Sequence, residues 1–179
     1  MSVDSDAALV ARVVVGDDRA AFELLVRRHQ SPLRAFLRRL VLQDAALADD
    51  LAQETFIKLH RSIATYRAQA RFTTWLYRIA YHVFLDHRRS TIRERENVAD
   101  EPVHAPDVAI AAGEQMDADL ALGLLSERQR AVFDLFYGKG MTHDEVAQAL
   151  DVPAGTVKSD LHRGVERLRC LLLEKEISR

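Results

Sequence analysis

The 179-residue chain is 48% apolar and 29% charged, which excludes a disordered polymer and fits one large globular domain or two small ones. No window approaches the roughly 18 apolar residues of a membrane span, MSVDSDAALV lacks a signal-peptide layout, and the single Cys170 excludes an internal disulfide, so a reducing, cytoplasmic setting is expected. The net charge of −2 argues against a nucleic-acid partner on average, but residues 1–91 hold 14 Lys/Arg against 10 Asp/Glu, residues 92–125 hold 2 against 8, and residues 126–179 hold 9 of each.

Asp17 to Leu42 reads as helix, with Phe22, Leu25, Val26 and His29, then Leu33, Phe36, Leu37 and Leu40, recurring at helical spacing. Pro32 is expected to start a new segment or kink the helix. His29 reads as a packing residue, because no second ligand stands at metal spacing near it. Gln43 to Ala46 reads as a connector. The next helix, centred on Asp49 to Ser62, places Leu51, Ala52, Thr55, Phe56, Leu59 and Ile63 on one apolar side. Its other side carries Asp50, Gln53, Glu54 and Arg61 with Ile57 among them, which fits either a docking surface or an ordinary surface helix with one stray isoleucine.

Ala64 to Phe72 is a polar connection, after which Thr73 or Thr74 is expected to cap a helix reaching about Arg89. Leu76, Ile79, Ala80, Val83 and Phe84 share its core face; Trp75, Arg78, Tyr81, His82, Leu85, Arg88 and Arg89 gather opposite. Rings that stack on bases, interleaved with guanidiniums that neutralise phosphate, suit single-stranded nucleic acid. A core tryptophan with a basic solvated rim fits the same pattern. His82 and Asp86, at i and i+4, are expected to share a hydrogen bond rather than a metal.

Ile92 to about Asp117 lacks periodicity, contains Pro102 and Pro106 and holds most of the acidic excess, so it reads as a flexible acidic linker. The helical pattern returns from Ala118. Ser126 with Gln129, and Thr142 with Glu145, form two capping boxes. Ala147, the turn residue Asp151 and Val157 then carry helix-turn-helix spacing. Lys158, Ser159, Asp160, His162, Arg163 and Arg167 are expected on the outer face of the second helix, and Cys170 on its buried side. The expected fold is all-α: two small helical domains, 1–91 and 118–179, joined by the linker at 92–117, the C-terminal one a helix-turn-helix.

ADDLAQETFIKLHR, FTTWLYRIAYHVFLDHRR and LSERQRAVFDLFYGKGMTHDEVAQALDVPAGTVKSDLHRGVERLR, in that order, resemble a bacterial RNA polymerase sigma factor. The layout, with no intervening third domain, is similar to the extracytoplasmic-function (ECF) subfamily. The resemblance implies a transcription initiation factor that performs no chemistry of its own and needs no cofactor or metal. Core polymerase would dock on Asp49, Asp50, Gln53, Glu54, Ile57, Lys58 and Arg61. The −10 element would be captured by a loop from Tyr66 through Arg67 and Arg71 to Phe72, and held as a melted strand by Trp75, Arg78, Tyr81, His82, Arg88 and Arg89. Thr156, Lys158, Ser159, Asp160, His162, Arg163 and Arg167 would read the −35 duplex, while the linker threads through the polymerase. Promoter DNA, core RNA polymerase and an anti-sigma factor are the implied partners, with no membrane insertion. Five positions depart from the family pattern: Ala68-Gln69 stand where Gly-Asp or Gly-Glu is usual, His82 replaces Asn, Asp160 replaces Arg, and Ser126 replaces Pro. A stand-alone helix-turn-helix regulator is the rival reading; a hydrolase using a His/Asp/Cys site is a weaker one.

Overall fold

The computed structural model describes residues 4–98 and 122–177, all organised as helices and their connections. In the N-terminal unit, three aspartate or serine side chains fix where helices begin. Ser5 caps α1 (Asp6–Gly16) by accepting from the Ala8 amide at 3.2 Å; Asp18 caps α2 (Arg19–Leu40) through Ala21 at 3.0 Å; Asp44 caps α3 (Ala45–Ser62) through Leu47 at 3.0 Å. Helix α1 was not among the helices expected from sequence. It buries Leu9, Val10 and Val13, and Asp6 holds it to α2 through Arg28 at 2.5 Å and His29 at 3.0 Å. His29 is buried, as a packing residue should be.

Pro32 neither starts a segment nor ends one: α2 runs unbroken through it. Proline removes one intrahelical bond, but Pro32 faces solvent while Leu25 and His29 before it and Leu33, Phe36, Leu37 and Leu40 after it are buried. Core packing on both flanks outweighs the lost bond. The connector is also shorter than expected, because α3 starts at Ala45 directly after its cap. Beyond a short 3-10 turn at Ile63–Thr65, α4 (Phe72–Val98) begins before either threonine, so neither caps it. Thr74 is instead buried, its hydroxyl without a hydrogen-bond partner. α4 also passes Arg89 and takes in residues 92–98 of the expected linker; residues 99–117 lie outside the described residues.

In the C-terminal unit both capping boxes form. Ser126 and Gln129 exchange bonds of 3.2 and 3.0 Å at the start of α5 (Glu127–Phe133), and Thr142 and Glu145 exchange bonds of 3.2 and 2.9 Å at the start of α6 (His143–Leu150). Between them Asp134–Gly138 forms one π turn. Asp151 adopts φ 56° and ψ 47° and turns the chain into α7 (Ala154–Ile177), so an aspartate serves where glycine is commoner. α7 crosses α5 closely at Gly164, where an added Cβ would collide with the Phe133 ring.

The two units share one core. α6 packs along α4 and α5 against α2, so Leu40, Tyr81, Val132, Leu135 and Val146 belong to a single buried cluster.

Candidate functional site

α3 places its two faces as the helical period dictates. Leu51, Ala52, Thr55 and Leu59 are buried; Asp49, Asp50, Gln53, Glu54 and Arg61 are exposed. Ile57 keeps 44% of its surface in solvent at the edge of an open groove of about 540 Å³ between α2 and α3, floored by Phe22, Val26, Ala52 and Phe56. Asp49 is tied to Arg34 at 3.2 Å; Asp50 and Gln53 line the groove, and exposed Glu54 stands one turn before the isoleucine, the three together forming its polar rim. Lys58 ties that rim to α4: it bridges Glu54 and Asp86 of α4, both at 3.2 Å, and these carboxylates hold its ammonium more firmly protonated.

The loop after α3 and the start of α4 form an aromatic nest. Tyr66 donates to the Ala70 carbonyl at 2.8 Å and lies 5.2 Å from Trp75, centroid to centroid; burial pushes its phenol up. Phe72, expected at the end of the base-capturing loop, is buried among His29, Tyr66 and Trp75 and anchors the nest from below. Above it, Tyr66, Arg67, Gln69, Trp75 and Arg78 line a hollow of about 430 Å³ whose far wall is Gln148 and Asp151 of the C-terminal unit. Ala68, in that loop, holds φ 55°, the conformation that the glycine usual there adopts freely.

Along α4, Arg78 and Arg89 are exposed and Trp75, His82 and Arg88 half-buried. Tyr81 departs from the expected face, being 5% exposed, its phenol pushed up mainly by burial. The expected His82–Asp86 bond is absent: His82 Nδ1 is 2.9 Å from the Arg78 carbonyl, and Asp86 serves Lys58 and Arg89. Arg67 and Arg71 are exposed in the loop.

On α7, Lys158, Ser159, His162, Arg163 and Arg167 are exposed and Thr156 half-buried. Asp160 is the correction. It is 2% exposed and faces α5, where Arg128 Nε reaches it at 2.6 Å, while Arg163 closes over it at 3.0 Å. Arg167 is held inward by the Leu124 carbonyl at 3.3 Å and Gln129 at 3.2 Å. Cys170 is exposed rather than buried. Among the described residues no three His, Cys, Asp or Glu side chains come together as a metal set, and no helix is long and apolar enough to cross a membrane.

Sequence reasoning missed the charged pairs between the units. Arg130 donates to the Leu40 carbonyl at the end of α2 at 3.1 Å and to the Leu125 carbonyl at 2.8 Å, and Arg39 pairs with the buried Asp134. Arg130 and Asp134, two charges four apart on either side of the apolar Ala131–Phe133, were the only sequence signal for them.

Residues 25–94 match the family model of Sigma-70 region 2, and residues 115–168 match that of Sigma-70, region 4. The ECF RNA polymerase sigma-E factor of Haemophilus influenzae is 33% identical over 92% of this chain and 93% of its own length. The RNA polymerase sigma-H factor of Pseudomonas aeruginosa is 30% identical over 94% of each chain. Among solved structures, the Bartonella quintana sigma factor RpoE in complex with the anti-sigma factor NepR superposes with TM-score 0.70 at 27% identity, over 84% of this chain and 96% of that one. CnrH in complex with the cytosolic domain of CnrY gives 0.68 at 26% identity, over 94% and 97%. With both regions matched in order and full-length relatives of this similarity, the chain belongs to the ECF family of RNA polymerase sigma factors.

Proposed function

We propose that the chain binds core RNA polymerase and directs it to promoters with −35 and −10 elements, acting in the cytoplasm and catalysing nothing itself. The observation that carries this reading is the α2–α3 groove: an exposed isoleucine framed by Asp50, Gln53 and Glu54, beside an apolar floor, on a helix whose opposite face is fully packed. An apolar anchor inside a polar rim is what a stable macromolecular contact needs. The Tyr66–Trp75 hollow supplies a place for an unstacked base, and Arg78, Arg88 and Arg89 supply cations along the strand path. Lys158, Ser159, His162 and Arg163 form the duplex-facing edge of α7. An anti-sigma factor is proposed as a further partner, by likeness to the two solved complexes.

Purified core polymerase, this chain and a promoter library decide the matter in one transcription assay. The expected result is a single −35/−10 consensus among the transcripts, absent without the chain. Sequence-specific duplex binding by the chain alone, with no transcription on adding core, would favour the stand-alone regulator.

A further inference from the structure

The hollow over Tyr66 and Trp75 carries more polar chemistry than a stacking platform needs. Arg71 Nε lies 3.2 Å from Glu145 and Arg78 3.5 Å from Asp151, so two ion pairs hold the far wall around a space of about 430 Å³. Small-molecule sites occupy roughly 300–1,000 Å³, so the space suits a ligand the size of a mononucleotide. Tyr66 and Trp75 are half-buried with their ring planes 38° apart, which leaves a face for one flat ring to stack on. Gln69 of the loop and Gln148 of α6 both line the hollow and are exposed, and among the described residues neither carboxamide has a hydrogen-bond partner. Arg67, also exposed in the lining, has no carboxylate partner among the described residues. Thr74 borders the same space at 2% exposure, and its buried hydroxyl has no hydrogen-bond partner. A buried hydroxyl left unpaired is costly and calls for a partner. A carboxamide matches the amine and ring nitrogen on one edge of adenine with an acceptor and a donor at once, and a guanidinium matches phosphate.

We propose that this hollow is a binding site for a free adenine mononucleotide. The base stacks against Trp75 and Tyr66, the carboxamides of Gln69 and Gln148 pair with its polar edges, Arg67 takes the phosphate, and the sugar supplies the partner that the Thr74 hydroxyl lacks. The inference rests on the reading of the hollow as a seat for an unstacked base. It goes beyond that reading in two respects: the ligand is free rather than part of a strand, and Gln148 gives the C-terminal unit a share in holding it. Because the walls come from both units, such a ligand also stabilises the arrangement it binds.

Trp75 is the chain's single tryptophan, so intrinsic fluorescence reads the hollow directly. The full chain is titrated with adenosine monophosphate (AMP), guanosine monophosphate (GMP) and ribose 5-phosphate, with excitation at the red edge of the indole band, where nucleotides do not absorb. Calorimetry on the same samples reports any binding that leaves the emission unchanged. The expected result is saturable binding of AMP with half-saturation at ~1 mM or below, at least about fivefold weaker binding of GMP, and none of ribose 5-phosphate. Gln148→Ala should weaken AMP binding by about fivefold and Arg67→Ala by about tenfold; both side chains are exposed, and far-UV circular dichroism checks that the fold is retained. Thr74→Val removes the unpaired hydroxyl at nearly constant shape. It should leave the melting temperature no lower while weakening AMP binding by about threefold, a combination that a purely structural hydroxyl does not produce. No saturable binding of AMP by either method overturns the proposal, as does equal affinity for GMP, or AMP binding that Gln148→Ala leaves unchanged. If a variant loses helicity, the three ligands on the wild-type chain decide alone. The base-seat reading is judged separately, with core polymerase. If Trp75→Ala fails to melt promoters while the wild-type chain ignores AMP, this proposal falls and that reading stands. Normal melting by Trp75→Ala, with no response of the wild-type chain to AMP, refutes both.

Discussion

With Arg128 and Arg163 both bonded to it, the buried Asp160 carboxylate has both oxygens engaged within the chain. Where the family usually carries arginine, this chain uses the position to tie α7 to α5. Asp160→Asn should therefore lower stability by about 2 kcal/mol, the scale of two charge-assisted bonds weakened together, read as a lower urea midpoint. The −35 consensus from promoter selection should stay the same; a change confined to one or two base pairs would restore direct readout. Asp134 makes a different prediction. Its burial raises the carboxyl above its ordinary value of 3.8, against the pull of Lys139 and Arg39. A folded value above the unfolded one means that the contribution is complete below the unfolded value and is lost as pH rises through the folded one. From just above pH 3.8, wild type should lose stability relative to Asp134→Asn, and parallel stability–pH curves would contradict this. Glu145 runs the other way: the Thr142 amide holds its carboxyl below the usual 4.5, so its capping contribution is present above that value and lost as pH falls.

At the scale of elements, α3 offers the cleanest test, because function and packing occupy opposite sides. Ile57→Asp with Gln53→Ala should weaken core-polymerase binding by about thirtyfold, as loss of an apolar anchor and a rim contact does, with helicity unchanged. Undiminished affinity would remove α3 from the docking role. Gly164→Ala should cost about 1–3 kcal/mol by overpacking against Phe133, visible as a lower melting temperature. Helix starts were legible from sequence wherever the chemistry is local: both C-terminal capping boxes and the Asp151 turn depend on residues within a few positions of one another. Pro32 was misread because its local penalty is overruled by Leu33, Phe36 and Leu37, whose burial depends on distant helices. Likewise Tyr81 and Asp160 sit at helical positions that read as outward on an isolated wheel, and Phe72 reads as part of a loop although it opens α4 on the face of Leu76. A neighbouring element covers each, and periodicity carries no trace of that neighbour.

For the molecule as a whole, two helical units in this order were legible from the helical periodicity, which lapses between Ile92 and Asp117 and returns from Ala118. The contact between the units was not. Arg130 to the Leu40 carbonyl, Arg39 to Asp134 and Arg88 to Glu127 join residues tens of positions apart, and only folded geometry brings such pairs together. These long-range pairs also give the chain a history during its own synthesis. A ribosome adds roughly 5–20 residues each second, and the partners of Arg78 and Arg71, Asp151 and Glu145, lie just over seventy residues downstream. For roughly 4–15 seconds per molecule, Arg71 and Arg78 have left the peptidyl-transferase centre while Glu145 and Asp151, which will face them, have yet to be translated. Each newly made chain therefore passes through an interval in which its basic, aromatic face is born before its cover.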